Sequence, residues 1–474
     1  MKQLINRRTT FGLLLALHFL GACKVSQDMA APDLGLPASY RNAAAGADTT
    51  SVARLPWQSF FADPQLKTLI GDALAHNNDL LVAVKNIEAA QLTLRQARLG
   101  NLPAVNLQAT GTYTRPSDNS LNGLTLSQFL GQRHVEDYNL GAALSWEADI
   151  WGRIRSRKAQ ALAEYLQTEE ARKAVQTQLI SNVAQGYYNL LLQDAQLVIA
   201  RRNIQLNDST LRIIELQFQA GQVTSVAVQQ AQAQRLTAAR LVPQFEQEIA
   251  VQENALSVLS GRLPARVGRD ARLAAEAVPS TLPAGVPAAL LSRRPDVQYA
   301  ELALARANAA VGIAKAGLYP SLTITAQGGL NAFKASNWFN IPASLFGAVA
   351  GGLTQPVFQR RALRTQYELA RVGREQTVLQ FRQSVLVAVE EVFDALVRLD
   401  KLSQQQQLAA ERASTLRQAT RNAQLLFANG LANYLEVITA QSNGLQSELE
   451  LAALKNAQLN STVELYRAVG GGWQ

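Results

Sequence analysis

The sequence predicts a mainly helical chain with a small transmembrane β portion, built by internal tandem duplication. Three observations predict it. Residues 77–264 and 293–471 follow one script of elements, with a period of roughly 209 residues, too long for a solenoid repeat. Each copy holds a proline-poor, Ala/Gln/Leu/Glu-rich stretch far longer than a globular domain uses. Each copy also holds a pair of alternating polar-apolar stretches nearly free of Lys and Arg.

The N-terminus comes first. Lys2, Arg7 and Arg8 precede a short apolar run, Phe11 to Leu20, followed by Gly21-Ala22-Cys23. That run is too short to span a bilayer, so residues 1–22 are expected to be a cleaved lipoprotein signal peptide. Cys23 is the sole cysteine. It reads either as a small hydrophobe within the signal or, from its position after small residues, as a lipidation site carrying a diacylglycerol anchor. Lys24 rather than Asp behind it suggests export to the outer membrane. A covalent lipid on Cys23 is then the one added group; no other cofactor is expected. With no second cysteine there is no internal disulfide. Residues 23–76 form an N-terminal periplasmic segment.

The net charge is +9, and removing Lys2, Arg7 and Arg8 leaves +6. No patch interleaves aromatic and basic residues, so the surplus is read as solvated helix surface, with no nucleic acid partner.

Strand periodicity marks residues of about 104–116, 137–148, 321–332 and 345–355. In the first, Val105, Leu107, Ala109 and Tyr113 alternate with Asn106, Gln108, Thr110 and Thr112; in the third, Leu322, Ile324 and Ala326 alternate with Thr323, Thr325 and Gln327. About ten residues suits a tilted strand crossing a bilayer. Tyr113, Tyr138 and Trp146 fall where an aromatic girdle would lie. A soluble β-sandwich is the alternative. If the strands are transmembrane, four cannot close a barrel, and an open edge is not tolerated in lipid. Several copies must then share one barrel. Asn106, Gln108, Thr110, Thr323, Thr325 and Gln327 are expected to face its lumen.

Arg153 to Gln219 contains no proline and one glycine, Gly186; such a helix measures roughly 100 Å. Val183, Leu190, Leu197, Ile204, Leu211 and Phe218 recur every seven residues, and Leu192, Ile199, Leu206 and Ile213 form a second ladder. Ladders on opposite sides suit a closed cylinder of helices, an α-helical barrel, with a solid bundle as the alternative. Gly221 and Gly430 are expected to turn the chain at hairpin tips, with return helices from about Thr224 and Ala432. Residues 265–292 form a linker and 472–474 a tail.

No catalytic or metal-ligating constellation is present. His18 belongs to the signal, and His76 and His134 lie in no ligand spacing. No phosphate-binding glycine loop occurs, so the chain is expected not to be an enzyme.

The segments Trp57-Gln-Ser-Phe60-Phe61-Ala-Asp63-Pro64, Ser145-Trp146-Glu147-Ala-Asp149-Ile-Trp151-Gly152-Arg153 and Ser292-Arg293-Arg294-Pro295-Asp296-Val297 resemble the outer membrane efflux proteins of the TolC/OprM/NodT type. The resemblance covers essentially the whole mature chain. It implies a homotrimer whose strands make a twelve-stranded outer membrane β-barrel above a periplasmic α-barrel. It also implies the exit duct of a tripartite pump, with a periplasmic adaptor and an inner membrane RND-type transporter as partners. Asn433-Tyr434-Leu435 matches the family's periplasmic gate, making Leu435 a candidate constriction. Thr439 stands where Asp is common, and Glu436 points about 100° away from Leu435. Gly221 and Gly430 become candidate adaptor-docking tips. A periplasmic adaptor or structural coiled-coil lipoprotein is the alternative, although adaptors carry one hairpin and soluble β-domains.

Overall fold

A computed structural model describes residues 35–37, 39–40, 51–129, 131–278 and 283–474. The signal segment and Cys23 lie outside these described residues. The elements run α1 (Pro64–His76), α2 (Asn78–Arg98), β1 (Ala104–Thr114), α3 (Leu121–Phe129), β2 (Val135–Ala148), α4 (Arg153–Gln219) and α5 (Ser225–Leu259). The second half follows with α6 (Pro295–Ala316), β3 (Ser321–Ala332), β4 (Leu345–Thr354), α7 (Ala362–Ala428) and α8 (Tyr434–Ala468). The duplication is visible in the lengths. Helices α4 and α7 both have 67 residues, and α5 and α8 both have 35.

The described chain forms two compact units, and each draws on both halves of the sequence. The first comprises Glu88–Leu166 and Leu302–Leu379. It holds one antiparallel sheet in the order β1-β2-β3-β4, so the strands of the two halves meet at the β2–β3 pairing. Strand β1 runs parallel to β3, which puts the β3–β4 connection and the β1–β2 connection, with α3 inside it, at one end of the sheet, and the adjoining ends of α2, α4, α6 and α7 at the other. Strands β1 and β4 each pair on one side only among the described residues.

The second unit comprises the described residues within 35–87, 167–301 and 380–474. Its core is built on α4, α7 and α8, with the N-terminal segment packed against them. Leu179, Ile180, Val183, Tyr187 and Leu191 meet Val385, Ala388, Val392, Leu459, Val463 and Tyr466. Trp57, Phe61, Leu66 and Ile70 cover that core. Phe60 stacks on Tyr466 at 4.0 Å, and the Tyr466 hydroxyl donates to the Leu55 carbonyl at 2.6 Å. Each fully buried Val, Leu, Ile or Phe in this core contributes about 1.5–3 kcal/mol. Gly186 lets α5 pack closely on α4: a Cβ there would lie 2.8 Å from Leu256 Cδ2.

Further along α4 the fully buried line is Ala200, Asn203, Asn207, Thr210 and Ile214, and its middle is polar. The two heptad ladders flank this line. Leu197, Ile204 and Leu211 are half-buried on one side, and Leu192, Ile199, Leu206 and Ile213 on the other. Over this stretch neither ladder is the deepest seam, although Val183 and Leu190, earlier on the first ladder, are fully buried. In α7 the small-residue ladder is deeper, with Ala388, Ala395 and Ala409 buried, because alanine lets a neighbouring helix approach. Among the described residues no helix is apolar enough over a sufficient length to cross a membrane.

Candidate conduit wall and helical tips

The strand register sorts the sheet into two chemically distinct faces. Asn106, Gln108 and Thr110 pair with Ala143, Gly141 and Asn139, and these in turn pair with Gln327, Gly329 and Asn331. Ser145 and Glu147 pair with Thr325 and Thr323. Gly352, Ala350 and Ala348 of β4 continue the rows. Side chains in one row share a face, so Asn106, Gln108, Thr110, Thr323, Thr325 and Gln327 all lie on a single polar face. The opposite face carries Val105, Leu107, Leu140, Leu144, Leu322, Ile324, Leu330, Val349 and Leu353. Leu107, Val349 and Leu353 are among its most exposed groups, at 83%, 79% and 69%. A sheet with such a face and two unpaired edges is unstable in water and suited to lipid.

Tyr113, Tyr138 and Trp146 all lie on the apolar face. Tyr113 stacks on His134 at 4.9 Å, and Tyr138 meets Trp338 at 5.4 Å. His134 is therefore partly covered by an aromatic neighbour. The Trp146 indole donates to the Asn101 carbonyl at 2.7 Å. Tyr138 and Trp146 are about 27 Å apart along β2 at the usual strand rise, about 20 Å along the normal for a strand tilted by about 35–45°, somewhat less than the height of an outer membrane apolar band.

Below the sheet, the strand-to-helix motif is a capping device. The Asp149 carboxylate accepts from the backbone N–H groups of Ile154 at 2.8 Å and Arg155 at 2.9 Å, supplying the first turn of α4 with acceptors. Gly152 adopts a φ of +74° to make the turn, and Arg153 pairs with Glu147. Trp151 stacks on Tyr319 at 4.8 Å and donates to the Pro320 carbonyl at 2.7 Å. The first half's junction is thereby fixed to the second's.

The hairpin tips form in the same way in both halves. Gly221 (φ +72°) and Gly430 (φ +73°) end α4 and α7 in the left-handed region. Gln222 N donates to Gln217 O, and Leu431 N to Leu426 O, both at 2.8 Å, as in a Schellman cap. No atom would crowd a Cβ at either glycine; backbone conformation alone selects the residue. A small apolar cluster of Ile214, Ala227, Ala231, Phe427 and Val437 joins the two hairpins near their tips.

Asn433 is the N-cap of α8, its side chain accepting from Leu435 N at 2.8 Å and Glu436 N at 3.2 Å. The Asn in Asn-Tyr-Leu thus starts the return helix, a role its Ncap preference could have revealed. Leu435 is 54% exposed, and Thr439, one turn on, is exposed beside it, while Val437 faces the cluster. Leu435 and Thr439 share a face; Glu436 points elsewhere. Among the described residues no group of three or more His, Cys, Asp or Glu side chains could hold a metal ion.

Two-faced strands, paired long hairpins and capped tips define the class: a channel-forming outer membrane protein. A family model described as outer membrane efflux protein matches residues 69–262 and 286–471. The chain belongs to the outer membrane efflux protein family. It is 32% identical over 467 residues to the solvent efflux pump outer membrane protein SrpC of Pseudomonas putida, covering 97% of each chain. It is 28% identical over 460 residues to the cation efflux system protein CusC of Escherichia coli, covering 96% of this chain and 97% of the relative. Among solved structures it is similar to the outer-membrane channel OprN, with a TM-score of 0.87 and 26% identity over 95% of this chain and 100% of the other. The protein is accordingly an outer membrane efflux channel, and the adaptor reading falls away.

Proposed function

We propose that three copies of this chain close one conduit, the β1 edge of each protomer pairing with the β4 edge of the next to give twelve strands. The observation that carries this reading is the four-stranded, two-faced sheet whose edges, among the described residues, are both unpaired. Closure satisfies the edge N–H and C=O groups that lipid would leave bare. It also turns Asn106, Gln108, Thr110, Thr323, Thr325 and Gln327 toward a wet lumen. The half-covered heptad ladders of α4 would find their second neighbours in the same assembly.

The conduit is passive and has no catalytic role; energy comes from an inner membrane RND-type transporter through a periplasmic adaptor. The tips at Gly221 and Gly430 are the adaptor's docking points, and Leu435 with Thr439 lines the gated entrance. A lipid on Cys23 anchors the mature chain. Relatives named for solvents and for cations match at 32% and 28% identity, which supports a wall that leaves choice of cargo to the inner membrane partner. A dedicated soft-metal relay is disfavoured, because the sequence has two methionines and three histidines.

Chemical cross-linking of the detergent-solubilised protein, with gel mobility before and after heating, tests the assembly. A trimer band that collapses to monomer on boiling is expected. A mature chain that stays monomeric and water-soluble overturns the reading.

A further inference from the structure

The polar face of the sheet carries one large aromatic group. Phe346 is the second residue of β4, in register with Gly329 of β3, which is itself in register with Gly141 of β2. The ring reaches across β3: a Cβ at Gly141 would lie 3.4 Å from Phe346 Cζ. Strands lie about 4.8 Å apart, so the ring must lie along the wall to cover that span. It is also the one residue of β4 that is not exposed. Gly329 could hold no other residue, because a Cβ there would stand 2.1 Å from the Leu140 carbonyl oxygen. The two glycines leave a flat bed of backbone, and the ring fills it.

We propose that Phe346 is an aromatic contact station on the lumen wall, at which planar aromatic solutes stack as they leave. The inference rests on the channel reading above and deepens it. In this arrangement one ring face would lie on the glycine bed and the other would be turned to the lumen. In a closed barrel, three such rings would form a collar near the end carrying the strand connections. Around it the face is made of small or neutral polar groups, which offer a passing solute little apolar contact. Asp137 lies exposed on the same face toward that end, and no Lys or Arg occurs in any of the four strands. Aromatic cations are therefore favoured over aromatic anions.

A purely structural role, cover for two glycines, makes a different prediction, and the two separate in planar bilayers. The probe is benzyltrimethylammonium added to one side of the reconstituted channel, with tetramethylammonium as the matched cation lacking a ring. Wild type is expected to show concentration-dependent block by the benzyl compound in excess of the matched cation. Phe346→Leu keeps an apolar cover over the glycines but removes the ring, so its block should weaken about threefold to tenfold, with heat-stable trimer mobility unchanged. Phe346→Trp enlarges the ring and should tighten the block and lower the open conductance, which tests the inference even if the leucine variant does not assemble. A conducting wild type with equal block in Phe346→Leu, or block unchanged or weakened in Phe346→Trp, overturns the station alone. A wild type that forms no conducting channel overturns the channel reading and the station with it.

Discussion

A Cβ on Gly261 would stand 2.2 Å from the carbonyl oxygen of His76, so the end of α5 is sealed against the end of α1 through backbone contact. The second half repeats the joint: a Cβ on Gly470 would stand 2.7 Å from the carbonyl oxygen of Arg293. The next residue along completes each joint. Asn77 Nδ2 donates to the carbonyl of Leu259, the last residue of α5, at 2.9 Å. Arg294 Nη1 donates to the carbonyl of Ala468, the last residue of α8, at 3.0 Å. The duplicated halves thus close by one geometry executed with different side chains.

Both glycines also have positive φ, +67° and +89°. Alanine at either site incurs the left-handed penalty of about 1–2 kcal/mol and a clash with a fixed carbonyl. Gly261→Ala and Gly470→Ala should each lower the thermal midpoint of the detergent-solubilised protein. Gly221→Ala and Gly430→Ala, where nothing crowds a Cβ, should cost less. Equal losses at all four sites would argue against the contact.

Tyr187 donates a 2.5 Å hydrogen bond to Asp63 Oδ2, while Asp63 Oδ1 accepts from Gln65 N at 2.7 Å as the N-cap of α1. Burial first, then the bond to Asp63, push the tyrosine hydroxyl far above its usual range, so it remains a donor at any physiological pH. Tyr187→Phe should cost about 1–3 kcal/mol by leaving a buried carboxylate oxygen bare. Asp63→Ala should cost about 1 kcal/mol more, since the cap goes too. Thermal melts followed by circular dichroism rank the pair, and the reverse order would refute the double role of Asp63.

Much of this was legible beforehand, and for identifiable reasons. Alternation, heptads and tip glycines are local signals, and the strands fall within two residues of the sequence bounds. The Asp63-Pro64 pair is an N-cap followed by proline at the first helical position, readable from sequence alone. Other features needed coordinates. Arg294 looked like one of two adjacent arginines, but it is almost fully buried, reaching Asp296, Glu391 and Ala468 across as many as 174 residues. Phe346 sat in a Gly-rich stretch whose parity is visible, yet only the register sets it over Gly329 and Gly141. The heptad ladders were correctly seen on α4, but the deepest line runs between them through Asn203 and Asn207, which no hydrophobic pattern reveals.

Two carboxylates should give stability opposite pH dependences. Burial disfavours ionisation of Asp296, but the Arg294 guanidinium and the Val297 N–H outweigh it and hold the group below its ordinary range. A depressed carboxyl contributes stability above its unfolded pKa of about 4, and that contribution is lost as pH falls through the lower folded value. Glu276 is raised by burial and by the Asp63 charge, with Lys455 opposing. Its contribution is complete below the unfolded value and is lost as pH rises through the folded one. Glu276→Gln should therefore leave acid stability alone and raise stability near neutrality. Arg294→Gln should destabilise by about 3–5 kcal/mol at neutral pH and flatten the acid limb. Melting midpoints measured across the acid-to-neutral range test both, and a Glu276→Gln profile parallel to wild type would exclude its assignment.

Cys23 lies outside the described residues, and its proposed role is as the site of a lipid anchor. Replacing it with serine removes the thiol that would take the diacylglycerol. Metabolic labelling with a tagged fatty acid should mark the wild type and leave Cys23→Ser unlabelled, with gel mobility unchanged if, as proposed, the strands rather than the lipid carry insertion. Continued labelling of the variant would refute the anchor.

The entrance prediction follows from where α8 begins. Asn433 fixes the first turn of α8 by accepting from Leu435 N and Glu436 N, and Val437 packs into the cluster joining the hairpins. With those residues set, Leu435 and Thr439 are left exposed one turn apart on the same face. A leucine left 54% exposed by its own chain suits an apolar constriction shared among copies, since apolar rings gate by excluding water. Leu435→Ser should raise leak conductance in planar bilayers severalfold without altering trimer mobility. Glu436→Gln, about 100° around the helix, should leave conductance unchanged. Asn433→Ala, which loosens the start of α8 by about 1 kcal/mol, should give an intermediate leak with Leu435 still in place. Unchanged conductance in Leu435→Ser would remove that residue from the gate; a leak as large in Glu436→Gln would show that the whole first turn, and not one face of it, holds the entrance shut.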